Sequence, residues 1–65
     1  MIEAKPNNRI RKLRGQERLR QADLAQRVGI FQSELSEIET GVRKPSVYLA
    51  KRIARALGVR LDDLF

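Results

Sequence analysis

Apolar positions along this chain recur at helical spacing. Leu24, Ala25 and Val28 make one apolar face, and Leu35 and Ile38 make another. Gly29 lies between them, where a first helix must stop and the backbone can take positive φ at little steric cost. The pattern predicts a helix over 21–28 and a second from Gln32 to about Thr40, stopped by Gly41. Upstream, Ile10 and Leu13 fall three apart, which predicts a helix from about Asn8 to Gly15 or Gln16, with Asn7 or Asn8 as its N-cap. Leu19 packs inward behind it. Downstream, Pro45 keeps Lys44 out of helical conformation, and Ser46 caps a fourth helix running through Leu57. Its stripe is Leu49, Ala50, Ile53, Ala54 and Leu57, with Lys51, Arg52 and Arg55 outward. Gly58 ends it, and Leu61 to Phe65 make one last turn whose Leu61 and Leu64 close the core. The expected architecture is all-α: an N-terminal arm over residues 1–7, then one five-helix domain over 8–65.

The centre of the chain carries the most specific signal. Ala25 sits four residues before Gly29, where only a small side chain lets two helices cross closely. Leu35, six residues after the glycine, returns to fill that crossing. Small residue, turn glycine and returning aliphatic together describe a helix-turn-helix.

Composition narrows the function classes. The 65 residues contain no cysteine and no histidine, so neither a disulfide framework nor a Cys/His zinc site is available. Without histidine the usual base of a nucleophilic pair is missing, and no enzyme activity, cofactor or metal is expected. No apolar run approaches the roughly 18 residues that span a bilayer, so a cytoplasmic protein is expected. The net charge is +6 and the sequence pI about 10.8, the balance of a nucleic-acid binder. That charge is uneven: residues 1–20 carry +5, residues 21–40 carry −3 and residues 41–65 carry +4. An acidic middle between basic thirds is not a uniform DNA clamp.

The segments IRKLR, QADLAQRVGI, SEIETG, RKPS and LAKRIARALGVRLDDLF, in this order and spacing, resemble the Cro-repressor/xenobiotic-response-element class of helix-turn-helix regulators. The resemblance covers about residues 8–65 and implies a lambda-repressor-like five-helix fold. It also implies that the element opening at Gln32 is a recognition helix entering the DNA major groove. Helical geometry is compatible: Leu35 and Ile38 face one side, while Ser33, Ser36, Glu37 and Thr40 face the other and Gln32 leads. The resemblance places base contacts at Gln32, Ser33 and Glu37, and Ser36 on the same face is a further candidate. Gln32 suits the N6 and N7 edge of adenine. Gln21, at the start of the preceding helix, is implied to bind a phosphate and brace the recognition helix. Arg43 and Lys44 in the following loop, with Thr40 before it, are candidates for backbone contacts that set register. Arg14 and Glu39 are implied to form a semi-buried salt bridge, an architectural pair.

Several positions depart from that pattern. Arg20, Phe31 and Arg60 stand where Ser or Thr caps are usual, each absence costing about 1 kcal/mol. Phe31 is expected to pack on the edge of the core, with a thymine methyl as the other possibility. Glu34 and Glu37 bring negative charge toward phosphates, although Glu37 can accept from cytosine N4. The expected function is sequence-specific binding of double-stranded DNA by a transcriptional regulator, a repressor on a two-fold operator, with a homodimer on DNA as one arrangement. Tyr48, Leu64 and Phe65 are candidates for a small apolar dimer face, or for closing the core. The competing expectation is an antitoxin-like or adaptor module whose acidic third helix meets a basic protein partner. A membrane-surface role for Arg9 to Arg20 lacks apolar anchors beyond Ile10, Leu13 and Leu19.

Overall fold

A computed structural model describes residues 9–64 of the chain. Four α-helices follow in order, α1 (Ile10–Gln16), α2 (Gln21–Val28), α3 (Gln32–Glu39) and α4 (Val47–Leu57), and then a 3-10 turn, Leu61–Asp63. The fifth element of the expected set, the last turn over Leu61 to Phe65, is a 3-10 turn at Leu61–Asp63 that follows the αL glycine Gly58. The residue flanking α1 is Arg9, which makes no side-chain cap; Asn7, Asn8, Phe65 and the expected arm lie outside the described residues. Arg9 is held instead from its backbone, its N–H donating to the Leu64 carbonyl at 2.7 Å and joining the two ends of the fold.

The core gathers one stripe from every element. Ile10, Leu24, Leu35, Ile38, Ile53 and Leu64 are fully buried, with Ala25, Val28, Ala54 and Leu57 between them. Leu13, Leu19, Leu49 and Leu61 pack against this cluster while partly exposed. Leu64 closes the core, whereas Tyr48 stays outside it at 70% exposure. Ala25, 2% exposed, and Leu35, fully buried, belong to the same core cluster, in which α2 packs against α3. Truncating Leu35 would cost about 2–5 kcal/mol, comparable with the ~3–5 kcal/mol that a core this small supplies.

Helix ends follow one rule. After α2, Gly29 adopts φ 78°, its N–H donates to Gln26 and the Ile30 N–H to Ala25, which is a Schellman closure. Gly41 (φ 83°) does the same after α3, with Val42 N–H donating to Glu37 and Gly41 N–H to Ile38. At the end of α1 the left-handed position is taken by Arg18, φ 56°, while Leu19 N–H reaches Arg14 and Arg18 N–H reaches Gly15.

Helix starts are less uniform. Ser46 caps α4 as expected, its Oγ accepting from the Leu49 N–H at 3.0 Å. Arg20 and Arg60 have no acceptor to offer, yet Asp23 and Asp63, three residues on, accept from their backbone N–H groups at 3.1 and 2.9 Å. Half of a capping box thus replaces the missing Ser or Thr. Phe31, before α3, has no such substitute.

Candidate nucleic-acid interface

The outer face of α3 is positioned by what lies beneath it. Leu35, Ile38 and Glu39 are buried, which turns Gln32, Ser33 and Thr40 outward and leaves Ser36 and Glu37 half-buried along the flank. Glu39 is the polar member of the buried side. Its carboxylate accepts from Arg14 Nε at 2.8 Å and Arg14 Nη2 at 3.1 Å, and Arg14 Nη1 donates to the Leu19 carbonyl at 2.9 Å. This bidentate pair ties α1 to α3 and to the segment leading into α2.

A chain of amides carries the order outward. Gln21 Nε2 donates to Glu39 Oε1 at 3.1 Å, and Gln32 Nε2 donates to Gln21 Oε1 at 3.2 Å. An ionised carboxylate only accepts, so the Gln21 amide must present its NH2 inward and its carbonyl to Gln32. Gln32, exposed, then has one amide N–H and its carbonyl oxygen outside this relay. Arg14, Glu39, Gln21 and Gln32 are one connected network running from the buried Glu39 to the exposed Gln32.

Other candidates are engaged locally. Glu37 Oε1 accepts from Arg43 Nε at 2.9 Å, and the Glu37 carbonyl accepts from the Val42 and Arg43 N–H groups, fastening the loop to α3. Glu37 keeps Oε2 for an outside donor. Thr40 Oγ1 donates to the Ser36 and Glu37 carbonyls at 3.0 and 3.2 Å. A hydroxyl has one hydrogen, so a phosphate contact from Thr40 requires that hydrogen to leave both carbonyls. Lys44 is exposed but borders a different hollow, with Pro45, Val47, Ala50, Leu61 and Asp62. Ser33 is exposed beside Gln32.

Two positions depart from the sequence expectations. Phe31 is 79% exposed and does not pack on the core edge; Ile30, its neighbour, takes that inward place. Arg11, which the resemblance did not single out, shares an open depression with Arg14, Gln21, Ser36, Glu39 and Thr40, putting a cation beside the α3 face. Its spacing of three from Arg14 was the available signal, since i and i+3 share a helix face.

The acidic middle of the chain resolves into pairs. Asp23 meets Arg20 at 3.0 Å, Glu37 meets Arg43 and Glu39 meets Arg14. The Arg20 hydrogen bond holds the Asp23 carboxyl below its ordinary value. Of the four acidic side chains in residues 21–40, only Glu34 is outside these ion pairs. Among the described residues no group of His, Cys, Asp or Glu could hold a metal ion, and no helix is long and apolar enough to cross a membrane.

Comparison with known proteins agrees with this geometry. A family model described as Helix-turn-helix matches residues 10–64. An HTH-type transcriptional regulator of Methanothermobacter thermautotrophicus is 44% identical over 57 residues, covering 86% of this chain and 83% of its own. The restriction-modification controller protein C.AhdI of Aeromonas hydrophila superposes with a TM-score of 0.84 at 33% identity, over 88% of this chain and 86% of that one. SinR, a master regulator for biofilm formation crystallised in complex with DNA, superposes with a TM-score of 0.77 at 27% identity, over 83% and 87%.

Proposed function

The chain belongs to this helix-turn-helix family of DNA-binding transcriptional regulators, not enzymes, and we propose that it binds duplex DNA sequence-specifically through α3. The observation that carries the reading is the amide relay. It leaves Gln32 with one donor and one acceptor, the pair that adenine N7 and N6 require in the major groove. Ser33, Ser36 and the free oxygen of Glu37 extend the reading face behind it. Gln21, with its second amide hydrogen and the unpaired N–H groups of the α2 start, takes a backbone phosphate. Arg11 and Arg43 supply cations on either flank, and Lys44 contributes from the loop. That SinR, similar in fold, was crystallised with DNA supports DNA as the partner here.

Occupying a site is enough to block a polymerase, so repression is the outcome that DNA binding by itself delivers. A two-fold operator bound by two copies, with half-sites about 34 Å apart, fits a module that reads one short segment per copy. As a transcriptional regulator it works where the DNA is, inside the cell. The adaptor reading rests on a free acidic third helix, and the pairing of Glu37 and Glu39 removes most of that surface. Selection of duplexes from a random pool at two salt concentrations tests the proposal. Enrichment of one sequence, with affinity falling as salt rises, is expected; salt-dependent retention of all sequences alike would contradict it.

A further inference from the structure

Phe31 is the one large side chain at the leading end of α3 that the fold does not use. At 79% exposure it leaves unburied an aromatic surface that a core position would have hidden. It also occupies the slot before α3, where Ser, Thr, Asp or Asn would satisfy a free N–H, and makes no side-chain cap. Two local rules are broken at one residue, the signature of a position serving contacts outside the chain. Tyr48, exposed to a similar degree, differs: its hydroxyl accepts from Arg52 Nη1 at 3.4 Å and its ring lies 5.7 Å from that guanidinium.

The place of Phe31 limits what it can meet. Its backbone is extended (φ −72°, ψ 149°) and it directly precedes Gln32, so both side chains stand at the same end of α3. If that end enters the major groove, as the proposed function holds and on which this inference rests, Phe31 enters with it. Base edges there offer donors, acceptors and a single apolar group, the C5 methyl of thymine. We infer that Phe31 is a specificity residue that reads a thymine methyl beside the base pair read by Gln32. Adjacent Cα atoms are 3.8 Å apart and successive nucleotides of one strand rise 3.4 Å, so the thymine lies within about two base pairs of that adenine.

The test uses a duplex enriched from a random pool by the full chain, remade with deoxyuridine in place of thymidine, which deletes only the methyl groups. One buried methyl-sized group is worth about 0.8 kcal/mol, or about four-fold in affinity. Wild type is expected to bind the deoxyuridine duplex at least four-fold more weakly. Phe31→Ala is expected to bind the thymidine duplex about four-fold more weakly than wild type and to lose that much less on methyl removal. Phe31→Ser adds a capping hydroxyl and is expected to melt no lower than wild type, yet to show the same reduced methyl dependence. An equal loss in wild type and both variants, or no loss in wild type, would overturn the inference while leaving groove reading by α3 intact. Failure of any duplex to be enriched would instead overturn sequence-specific binding itself, and the inference with it.

Discussion

Glu39 grips Arg14 edge-on, at 2.8 Å from Nε and 3.1 Å from Nη2, with its own side chain 3% exposed and that of Arg14 15% exposed. A charge so placed is tolerable only while its partner remains. Arg14→Ala strands the carboxylate and should cost about 3–5 kcal/mol, most of the margin of a domain this small. Urea unfolding followed by circular dichroism should show little folded protein at room temperature. The double replacement Arg14→Met with Glu39→Leu should recover most of the loss, because no unpaired charge is then buried. It should still weaken DNA binding, since Gln21 loses the acceptor that orients it.

Arg18 pays a conformational cost where α1 ends. Its φ of 56° is a conformation that an L-residue adopts at about 1–2 kcal/mol. Arg18→Gly relieves this and should stabilise the domain by about 1 kcal/mol. In a domain of this size that raises Tm by roughly 4–8 °C. An unchanged or lower Tm would show that the arginine side chain repays the strain elsewhere.

Asp23 gives α2 a pH-dependent start. Its hydrogen bonds to the Arg20 side chain and backbone hold its carboxyl below the ordinary 3.8 in the folded state. A depressed native value means that the stabilisation is complete above the unfolded value and is lost as pH falls through the native one. Wild type and Asp23→Ala should therefore differ in Tm at neutral pH and converge on acidification below 3.8. A gap that persists at the acid end would assign the effect to something other than this carboxylate.

Arg43 is shared between Glu37 and, in the proposed complex, a phosphate. Arg43→Ala should weaken binding to all duplexes alike and reduce the slope of log K against log salt by about 0.9, one phosphate's worth. Fluorescence anisotropy over a salt series measures both. A change confined to one sequence would make Arg43 a base reader.

How far the fold was legible depended on whether the signal was local. The helix spans over Leu24–Val28 and Leu35–Ile38, and the Gly29, Gly41 and Gly58 stops, follow from periodicity and glycine chemistry within a few residues. Arg18 could not be read this way, because arginine carries no preference for the left-handed position it occupies. The carboxylates of Asp23 and Asp63 were visible, but their capping role required seeing that the position three residues earlier lacked an acceptor. For the candidate site, the outward face of α3 is a matter of helical geometry. The Gln32–Gln21 contact depends on how α2 and α3 cross, and the Glu37–Arg43 pair on how the loop turns back at Gly41, neither of which spacing along one helix encodes. Phe31 illustrates the limit most plainly: hydrophobicity alone placed it inward, and only its surroundings put it outside.

The most direct measurement is the base preference of Gln32→Ala against wild type, from parallel selections on one random duplex pool. Gln32 is exposed and its loss leaves the Arg14–Glu39–Gln21 anchor in place, so the variant should remain folded. The account expects preference to relax at one base pair, by about 1–3 kcal/mol of discrimination, with the rest of the site still recovered. Identical preferences at every position, or uniform weakening on all sequences, would contradict direct reading by this side chain.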